Sequence, residues 1–262
     1  MTSTTSTEPL ARRLRRIQQS LGVTADGMLG PETLSALESR LGISPSPRAF
    51  SLEVSRRSLD LLVGFEVTSA TVYQQKYRRP VWPSESSGVT IGIGYDLGMT
   101  PRAQIQRDWQ GWIDAVDLQR LLSAQGVKGT PAQPLARSLA DVQISFEVAA
   151  SVFYQATLPY VAARTRATYP GVQKLPADAQ GMLLSLIYNR GTSLAGNRRT
   201  EMAAIKTLVA GGAENLAFIA DEFLGMMRLW LPPSGLLARR RKESALIRSA
   251  AHFYETEELV RL

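Results

Sequence analysis

The chain contains no cysteine and a single histidine, His252. It therefore has no disulfide and no thiol nucleophile. One histidine is fewer than a catalytic zinc site usually has, and there is no G-x-S-x-G motif to supply a nucleophilic serine. These absences argue against several classes of hydrolase, so carboxylates are the side chains expected to carry any catalysis.

Long hydrophobic runs are also missing, since no stretch reaches the roughly 18 to 20 apolar residues that cross a bilayer. Residues 1–9 are rich in serine and threonine and lack the apolar core of a secretion signal. We expect a disordered tail here, and synthesis in the cytoplasm without a classical signal peptide.

The composition is otherwise ordinary but basic. The 262 residues include 30 Lys and Arg against 23 Asp and Glu, which gives a net charge of +7. Such a protein is attracted to polyanions such as nucleic acid, anionic lipid or an acidic bacterial wall, and charge alone does not choose among them. The 44% hydrophobic fraction is typical of a globular protein of one or two domains.

The first fifty residues have the pattern of a small helical module. Apolar spacing predicts a helix over 10–21, Asp26-Gly27 is a turn signal, and Gly-Pro starts a second predicted helix over 31–41. Residues 44–50, SPSPRAF, predict a short stiff linker.

From residue 51 to 262 we expect one larger domain in which helical patterns dominate. The exception is Gly88–Leu97, GVTIGIGYDL, where β-forming residues alternate with small or polar ones, as in a strand or hairpin. The predicted fold class is therefore mainly α (α+β), with a small β-hairpin or sheet. The predicted helices are 52–66, 101–124, 142–168, 176–190, 199–211, 214–229 and 234–255.

A first resemblance lies in the run IQQSLGVTADGMLGPETLSALESRLG. Its Gln-Gln pair, its Asp26-Gly27 turn and its helix start from Gly30 to Thr33 resemble the peptidoglycan-binding domain type 1 family. The resemblance covers about residues 10–43 and implies a small three-helix-type module that binds the bacterial wall. In the alternative interpretation this is a small helical docking domain in which Asp26, Gly27, Gly30 and Pro31 only shape turns.

Glu66 occupies a position where a core residue is expected. In the predicted helix 52–66 the apolar stripe contains Leu59, Leu62 and Val63, and Glu66 is its next member. A carboxyl buried against apolar neighbours tends to keep its proton, and a general acid for glycoside cleavage needs that proton. Periodicity alone favours a glutamate that merely snorkels or caps the helix end.

In Gly88–Leu97 successive side chains alternate between the two faces of a strand. Thr90, Gly92, Gly94 and Asp96 share one face, which is polar at both ends and bare in the middle, so a flat sugar could approach the backbone. Thr90 and Asp96 can act on one water only if the chain bends at a glycine between them, because six extended residues span roughly 20 Å. A glycine-rich hairpin without chemistry is the alternative.

Two further patterns combine polar residues with helix ends, YNRG at 188–191 and GLLARRRKE at 235–243. The first alone predicts a helix end closed by Gly191. The second alone predicts a solvated basic helix start in which Arg239 and Glu243 pair. These structural interpretations are favoured over direct catalytic roles.

Taken in order, these pieces resemble the phage-type lysozymes of glycoside hydrolase family 24. They are an acid after the first helix, a T-I-G-x-G strand, the pattern Q-x-x-L-x-S-L-x-Y-N-x-G, and G-L-x-x-R-R-x-x-E. The pesticin-like muramidases, with the core G-x-T-I-G-x-G-Y-D-L-G, are particularly similar. The resemblance covers roughly residues 52–250. It implies a mostly helical, two-lobed fold with a small β-lobe, and cleavage of the β-1,4 bond after N-acetylmuramic acid.

Carried over residue by residue, the resemblance implies that Glu66 is the catalytic acid and that Thr90 and Asp96 hold the attacking water. In the T-even phage enzymes the partner Asp would fall at Ser84, beside Glu85, so Glu85 is the alternative second carboxylate. Carboxyl groups about 6.5–9.5 Å apart would give an inverting reaction, and a separation near 5 Å a retaining one. Neither route requires a metal or an organic cofactor.

We expect Gly92, Gly94, Tyr95, Asn189 and Arg190 to contact the substrate. The expected partner is bacterial peptidoglycan, together with anionic outer-membrane or wall polymers, and we expect a monomer that binds no nucleic acid. Without a signal peptide, the protein would reach the wall through a pore or a secretion system, as a phage endolysin or an interbacterial toxin.

Three other functions stay open. A lytic transglycosylase also uses a single glutamate and releases an anhydro-muramic product. A wall-binding protein without catalysis, such as a structural component of a phage or a secretion machine, is another, although the set of Glu66, Thr90 and Asp96 argues against it. Basic amphipathic helices such as 236–251 could instead disrupt membranes.

Overall fold

The computed structural model describes residues 10–43, 51–67, 70–83, 86–251 and 253–262. The predicted tail 1–9, the predicted linker 44–50 and the alternative carboxylate Glu85 lie outside these residues. The described chain is mainly helical, as predicted, with two small antiparallel sheets of two strands each.

A π-helical turn at Phe153–Thr157 joins two of the helices. The strands are β1 (Glu53–Ser55), β2 (Thr90–Ile91), β3 (Tyr95–Asp96) and β4 (Leu259–Arg261). The α-helices are α1 (Leu10–Leu21), α2 (Pro31–Leu41), α3 (Arg56–Val67), α4 (Ala70–Lys76), α5 (Arg102–Trp109), α6 (Ala115–Leu121), α7 (Ala132–Ser138), α8 (Phe146–Val152), α9 (Leu158–Thr168), α10 (Ala177–Arg190), α11 (Thr200–Ala210), α12 (Leu216–Gly225) and α13 (Gly235–Arg248).

The described residues divide into two compact units. The first unit contains the described residues of segments 1–46 and 66–157. The second unit contains those of segments 47–65 and 158–262. Helix α3 contributes its last two residues, Glu66 and Val67, to the first unit. These units do not coincide with the predicted domains, whose independence stays a prediction.

Within the described residues the predicted N-terminal module has two helices, α1 and α2, rather than three. Buried Gln18 joins them: its amide donates to the side chains of Asp26 and Thr33 at 2.6 and 2.9 Å, and its carbonyl accepts from the Gly27 N–H at 2.7 Å. Gly27 has φ +82°, and a Cβ there would lie 3.0 Å from the Ala11 carbonyl oxygen, so this turn requires glycine.

The helix pair packs on α8 and the π-helical turn, which belong to the same unit. The Leu29 N–H donates to Ser151 Oγ at 3.0 Å, and Gln155 Nε2 donates to the Leu29 carbonyl at 2.7 Å. An ion pair between Arg15 and Glu147, with N and O 2.7 Å apart, lies beside them. The loop before α2 is therefore bound through both backbone groups of Leu29.

Helix α10 is the centre of the second unit, and its residues 177–187 are all buried. It packs against β1, α9 and α13, while α12 packs against α13. Strand β1 pairs with β4, with Val54 opposite Val260. A Cβ at Gly181 would overlap the Ser58 side chain, so glycine allows α10 to approach α3 closely.

Several predicted helices are shorter than the periodicity indicated. The predicted helix 101–124 is interrupted between α5 and α6, where Gly111 has φ +83° and Asp114 caps α6 by accepting from the Val116 N–H at 2.8 Å. Helix α8 begins only after Ser145, which caps it. Helix α13 ends at Arg248 rather than at residue 255. The predicted helix 52–66 is wrong over residues 53–55, which form strand β1 because they pair with β4. Helices α4 and α7 and strand β4 are short, have no clear period and were not predicted.

Candidate functional site

The predicted β-segment is a tight hairpin. Strands β2 and β3 are antiparallel, with Thr90 opposite Asp96 and Ile91 opposite Tyr95. The chain turns through residues 92–94, and both glycines of this turn have positive φ, +56° at Gly92 and +67° at Gly94. The bend required by the sequence is therefore confirmed. Residues directly opposite in an antiparallel pair have Cβ atoms roughly 5 Å apart on one face, so Thr90 and Asp96 are neighbours.

Packing against the hairpin explains why its turn needs glycine. A Cβ at Gly92 would lie 2.9 Å from Cη2 of buried Trp109. The Tyr95 ring packs edge-on against Trp109, with ring centroids 5.5 Å apart. The Tyr95 hydroxyl donates to Asp108 Oδ2 at 2.8 Å, and burial together with this bond raises the pKa of Tyr95.

Thr90 is held on both sides by backbone pairing. Besides its register with Asp96, it exchanges two backbone hydrogen bonds with Val81, at 2.8 and 2.9 Å. Its hydroxyl lies 3.5 Å from the Gly88 carbonyl oxygen, which is a weak hydrogen bond. The backbone of Thr90 is therefore fixed, while its hydroxyl retains capacity to bind a water or a sugar hydroxyl.

A pocket of about 190 Å³ brings several predicted residues together in the first unit. Its polar side chains are Glu66, Tyr77 and Thr90, and the rest of its lining is apolar or glycine. Glu66 is half-buried in the last turn of α3, where Leu62 and Val67 are buried. The lining residues are Glu66, Val67, Tyr77, Val81, Pro83, Thr90, Gly92 and Gly94.

Asp96 is not among the lining residues, and its carboxylate is bound by the backbone. Oδ1 accepts from the N–H groups of Gly98 and Met99 at 2.8 and 3.2 Å, and Oδ2 accepts from the Gly88 N–H at 3.0 Å. A carboxylate has roughly four acceptor positions, of which three are used here. Asp96 thus ties the two ends of the hairpin together, and its action on a water stays a prediction.

The other predicted substrate contacts lie away from the lining. Tyr95, in strand β3 of the hairpin, is buried. Asn189 and Arg190 end α10 in the second unit, where Asn189 Oδ1 accepts from Arg240 at 3.3 Å and the Arg190 guanidinium lies 5.2 Å from the Trp230 ring centroid. Both residues therefore make structural contacts within their own unit, and their substrate contacts stay predictions.

The predicted wall-binding residues belong to the Gln18 network or to a helix start. Asp26, Gly27 and Thr33 contact Gln18, and Gly30 directly precedes α2 with φ −93°. This arrangement agrees with the interpretation that they shape turns, and wall binding by the module stays a prediction.

Tyr77 is a pocket residue that the sequence analysis missed. It follows α4, and its N–H donates to the Tyr73 carbonyl at 2.8 Å. Tyr73 is itself buried, and its hydroxyl donates to the Ile144 carbonyl at 3.2 Å. Tyr77 belongs to no motif and reaches the pocket only because the chain after α4 returns to pair at Val81, so local sequence carried no signal for it.

Comparison with known families adds one match. A family model described as a domain of unknown function (DUF8812) matches residues 62–167, which include every lining residue of the pocket. No curated protein is similar enough to match this chain. In the part of the chain that the structure describes, no three His, Asp or Glu side chains are grouped to hold a metal. None of the described helices is long and apolar enough to cross a bilayer.

Proposed function

We propose that the protein is a peptidoglycan-cleaving glycosidase, an N-acetylmuramidase of the lysozyme type, with Glu66 as its general acid. The observation that carries this proposal is the pocket that combines Glu66 with Thr90 and with the bare turn formed by Gly92 and Gly94. A pocket lined by a glutamate, a threonine and two glycines suits a sugar chain, because glycine allows the ring to approach the backbone.

In the proposed reaction Glu66 donates its proton to the glycosidic oxygen as the bond between that oxygen and the anomeric carbon breaks. A water held by the Thr90 hydroxyl adds to the anomeric carbon from the opposite face and gives its proton to a second carboxylate. Asp96, which retains about one acceptor position, and Glu85 are the candidates for that role. The products are a reducing muramic end and a free hydroxyl on the next sugar.

The same proposal assigns a lysozyme-like, two-lobed fold, with the hairpin as the small β-lobe and residues 10–43 as a wall-binding module. It also assigns a setting, namely release through a pore as a phage endolysin or delivery by a secretion system as an antibacterial toxin. The protein would act as a monomer on peptidoglycan.

A lytic transglycosylase is a second candidate, because Glu66 is the one carboxylate among the described lining residues. In that reaction Glu66 would first protonate the glycosidic oxygen. Its carboxylate would then remove the proton from the muramic 6-hydroxyl, whose oxygen attacks the anomeric carbon of the same sugar. The product is a 1,6-anhydro-muramic end, and no second carboxylate is needed.

Digestion of purified peptidoglycan, followed by mass spectrometry, tests these proposals. The proteins compared are the wild type, Glu66→Gln and the control Glu214→Gln, which removes an exposed carboxylate. We expect reducing muramic ends from the wild type and the control, and at least a hundredfold loss in folded Glu66→Gln. Anhydro ends from the wild type would assign the transglycosylase reaction. Cleavage by folded Glu66→Gln at the wild-type rate would reject both.

A further inference from the structure

The second unit contains a buried cluster of charges that the proposed reaction does not use. Glu243 on α13 is fully buried, and its Oε1 accepts from Ser185 Oγ at 2.6 Å and from Arg239 Nε and Arg240 Nη2 at 3.1 Å each. The Arg240 side chain is also fully buried. The Glu243 carboxylate thus contacts two guanidinium groups inside the second unit.

Further arginines surround this cluster among the described residues. Arg190 lies close enough to Arg240 to disfavour its charge, and Arg198 and Arg199 act on Arg190 in the same way. Glu201, the other acid near Arg190, is already paired with Arg228. Burial, assisted by Arg239 and Arg190, lowers the pKa of Arg240 to about 10. Burying uncompensated charge is costly, so such clusters need a counter-charge.

Three side chains in or near this cluster carry buried hydrogen-bond donors that have no partner among the described residues. The donors are Nε and Nη1 of Arg240, Nε of Arg190 and the hydroxyl of Tyr169. Arg240 and Tyr169 are both fully buried. Arg199, Arg190 and Arg240 all act electrostatically on the Tyr169 phenol. Buried donors of this kind cost free energy unless an acceptor satisfies them.

We propose that Arg240, Arg190 and Tyr169 bind a small monovalent inorganic anion, of the size of chloride, inside the second unit. A single anion would accept hydrogen bonds from donors on three elements, namely α13, the end of α10 and the segment after α9. Its negative charge would also oppose the positive charges of Arg190 and Arg240. Because the donors are fully buried, a large or multiply charged anion would cost more to desolvate than chloride.

The test compares thermal unfolding of the full chain in sodium chloride and in sodium gluconate at equal ionic strength. Gluconate is too large for a fully buried site, so it serves as the reference anion. We expect chloride to raise Tm in a saturable way, by roughly 3 °C at tenfold excess over its Kd. Equal Tm values in the two salts would overturn the proposal, because water would then satisfy these donors.

Two tyrosine variants separate anion binding from general stability. Tyr169→Phe removes one proposed donor and should reduce the chloride-dependent gain in Tm by at least half. Tyr254→Phe is the matched control, because its hydroxyl donates to Asp178 Oδ2 at 2.6 Å in the same unit. It should lower Tm equally in both salts and keep the full chloride gain. A full chloride gain in Tyr169→Phe would also overturn the proposal.

Crystals grown in sodium bromide give a direct measurement. An anomalous peak within hydrogen-bond distance of Arg240 and Tyr169 is the expected result, since bromide replaces chloride with little change in size. Density for water alone at these donors would contradict the proposal, whatever the melting data show. Neither experiment depends on peptidoglycan cleavage, so its outcome is separate from that of the proposed function.

Discussion

In the first unit Glu66 is half-buried on the wall of an open pocket, whereas in the second unit Glu243 is fully buried among two arginines and a serine. Burial raises the pKa of Glu243, and the arginines beside it oppose that effect. A carboxylate enclosed in this way contributes to folding and has no access to a substrate. A carboxylate at a pocket wall retains that access, and its removal should affect chemistry more than stability.

The largest expected effect on stability follows from replacing Glu243. Glu243→Gln keeps the shape but removes the buried negative charge that contacts Arg239 and Arg240, so we expect a loss of about 3 to 5 kcal/mol in the free energy of unfolding. Urea denaturation measures this loss. Glu214→Gln is the exposed control and should leave the midpoint unchanged. A loss below about 1 kcal/mol for Glu243→Gln would mean that the contrast between the two glutamates is wrong.

A substitution at Thr90 tests whether the pocket of the first unit carries out the proposed chemistry. Thr90→Val keeps the shape and the backbone pairing but removes the hydroxyl proposed to hold the water, so hydrolysis should fall about a hundredfold. Release of reducing ends from peptidoglycan is the measurement, with Thr207→Val as an exposed control. An unchanged hydrolysis rate would remove Thr90 from the mechanism. A fall in reducing ends with continued release of anhydro ends would sharpen the choice between the two reactions.

Asp96 shares features with both glutamates. Like Glu66 it lies near Thr90, and like Glu243 its carboxylate is held by hydrogen bonds, here from three backbone N–H groups. Asp96→Asn replaces one acceptor oxygen with an NH₂ group that faces a donor, so we expect a loss of 1 to 3 kcal/mol in stability. Calorimetry measures this loss, and peptidoglycan digestion well below Tm measures the activity of the folded variant. Activity within tenfold of wild type would assign the second carboxylate to Glu85 instead. An unchanged Tm would contradict the structural role.

Much of the fold could be predicted because long helices carry a strong period. Helices α1, α2 and α10 lie within one or two residues of their predicted bounds. The hairpin was also predicted, from its alternating β-forming residues and its glycines. Gly92 and Gly94 form its turn with positive φ, a conformation that favours glycine. Helix breaks were missed where a local cap such as Asp114 competes with a continuing apolar pattern.

The site was predictable only in part. Motif order identified Glu66 and Thr90, which the structure places on one pocket. It could not show that backbone N–H groups occupy the Asp96 carboxylate, because those hydrogen bonds depend on how the chain folds back at Gly98. The buried arginine cluster was also missed. The pattern GLLARRRKE at 235–243 predicted a solvated helix start, whereas Arg240 is fully buried. The order of charged residues along a helix does not show which of them are buried, because burial depends on the elements that pack against the helix.

The smallest expected effect is at Tyr77, the third polar residue that lines the pocket. If its hydroxyl binds a sugar oxygen, Tyr77→Phe loses one hydrogen bond, worth about 0.5 to 1.5 kcal/mol, or roughly two- to tenfold in kcat/KM. Digestion kinetics measure the change, and Tyr160→Phe, at an exposed tyrosine, is the control. The loss should appear mainly in KM, because a ground-state contact to the sugar affects binding more than the chemical step. An unchanged Tyr77→Phe together with a severely impaired Tyr77→Ala would instead assign the contribution to the aromatic ring. The pocket would then depend on Glu66 and Thr90 alone for its polar chemistry.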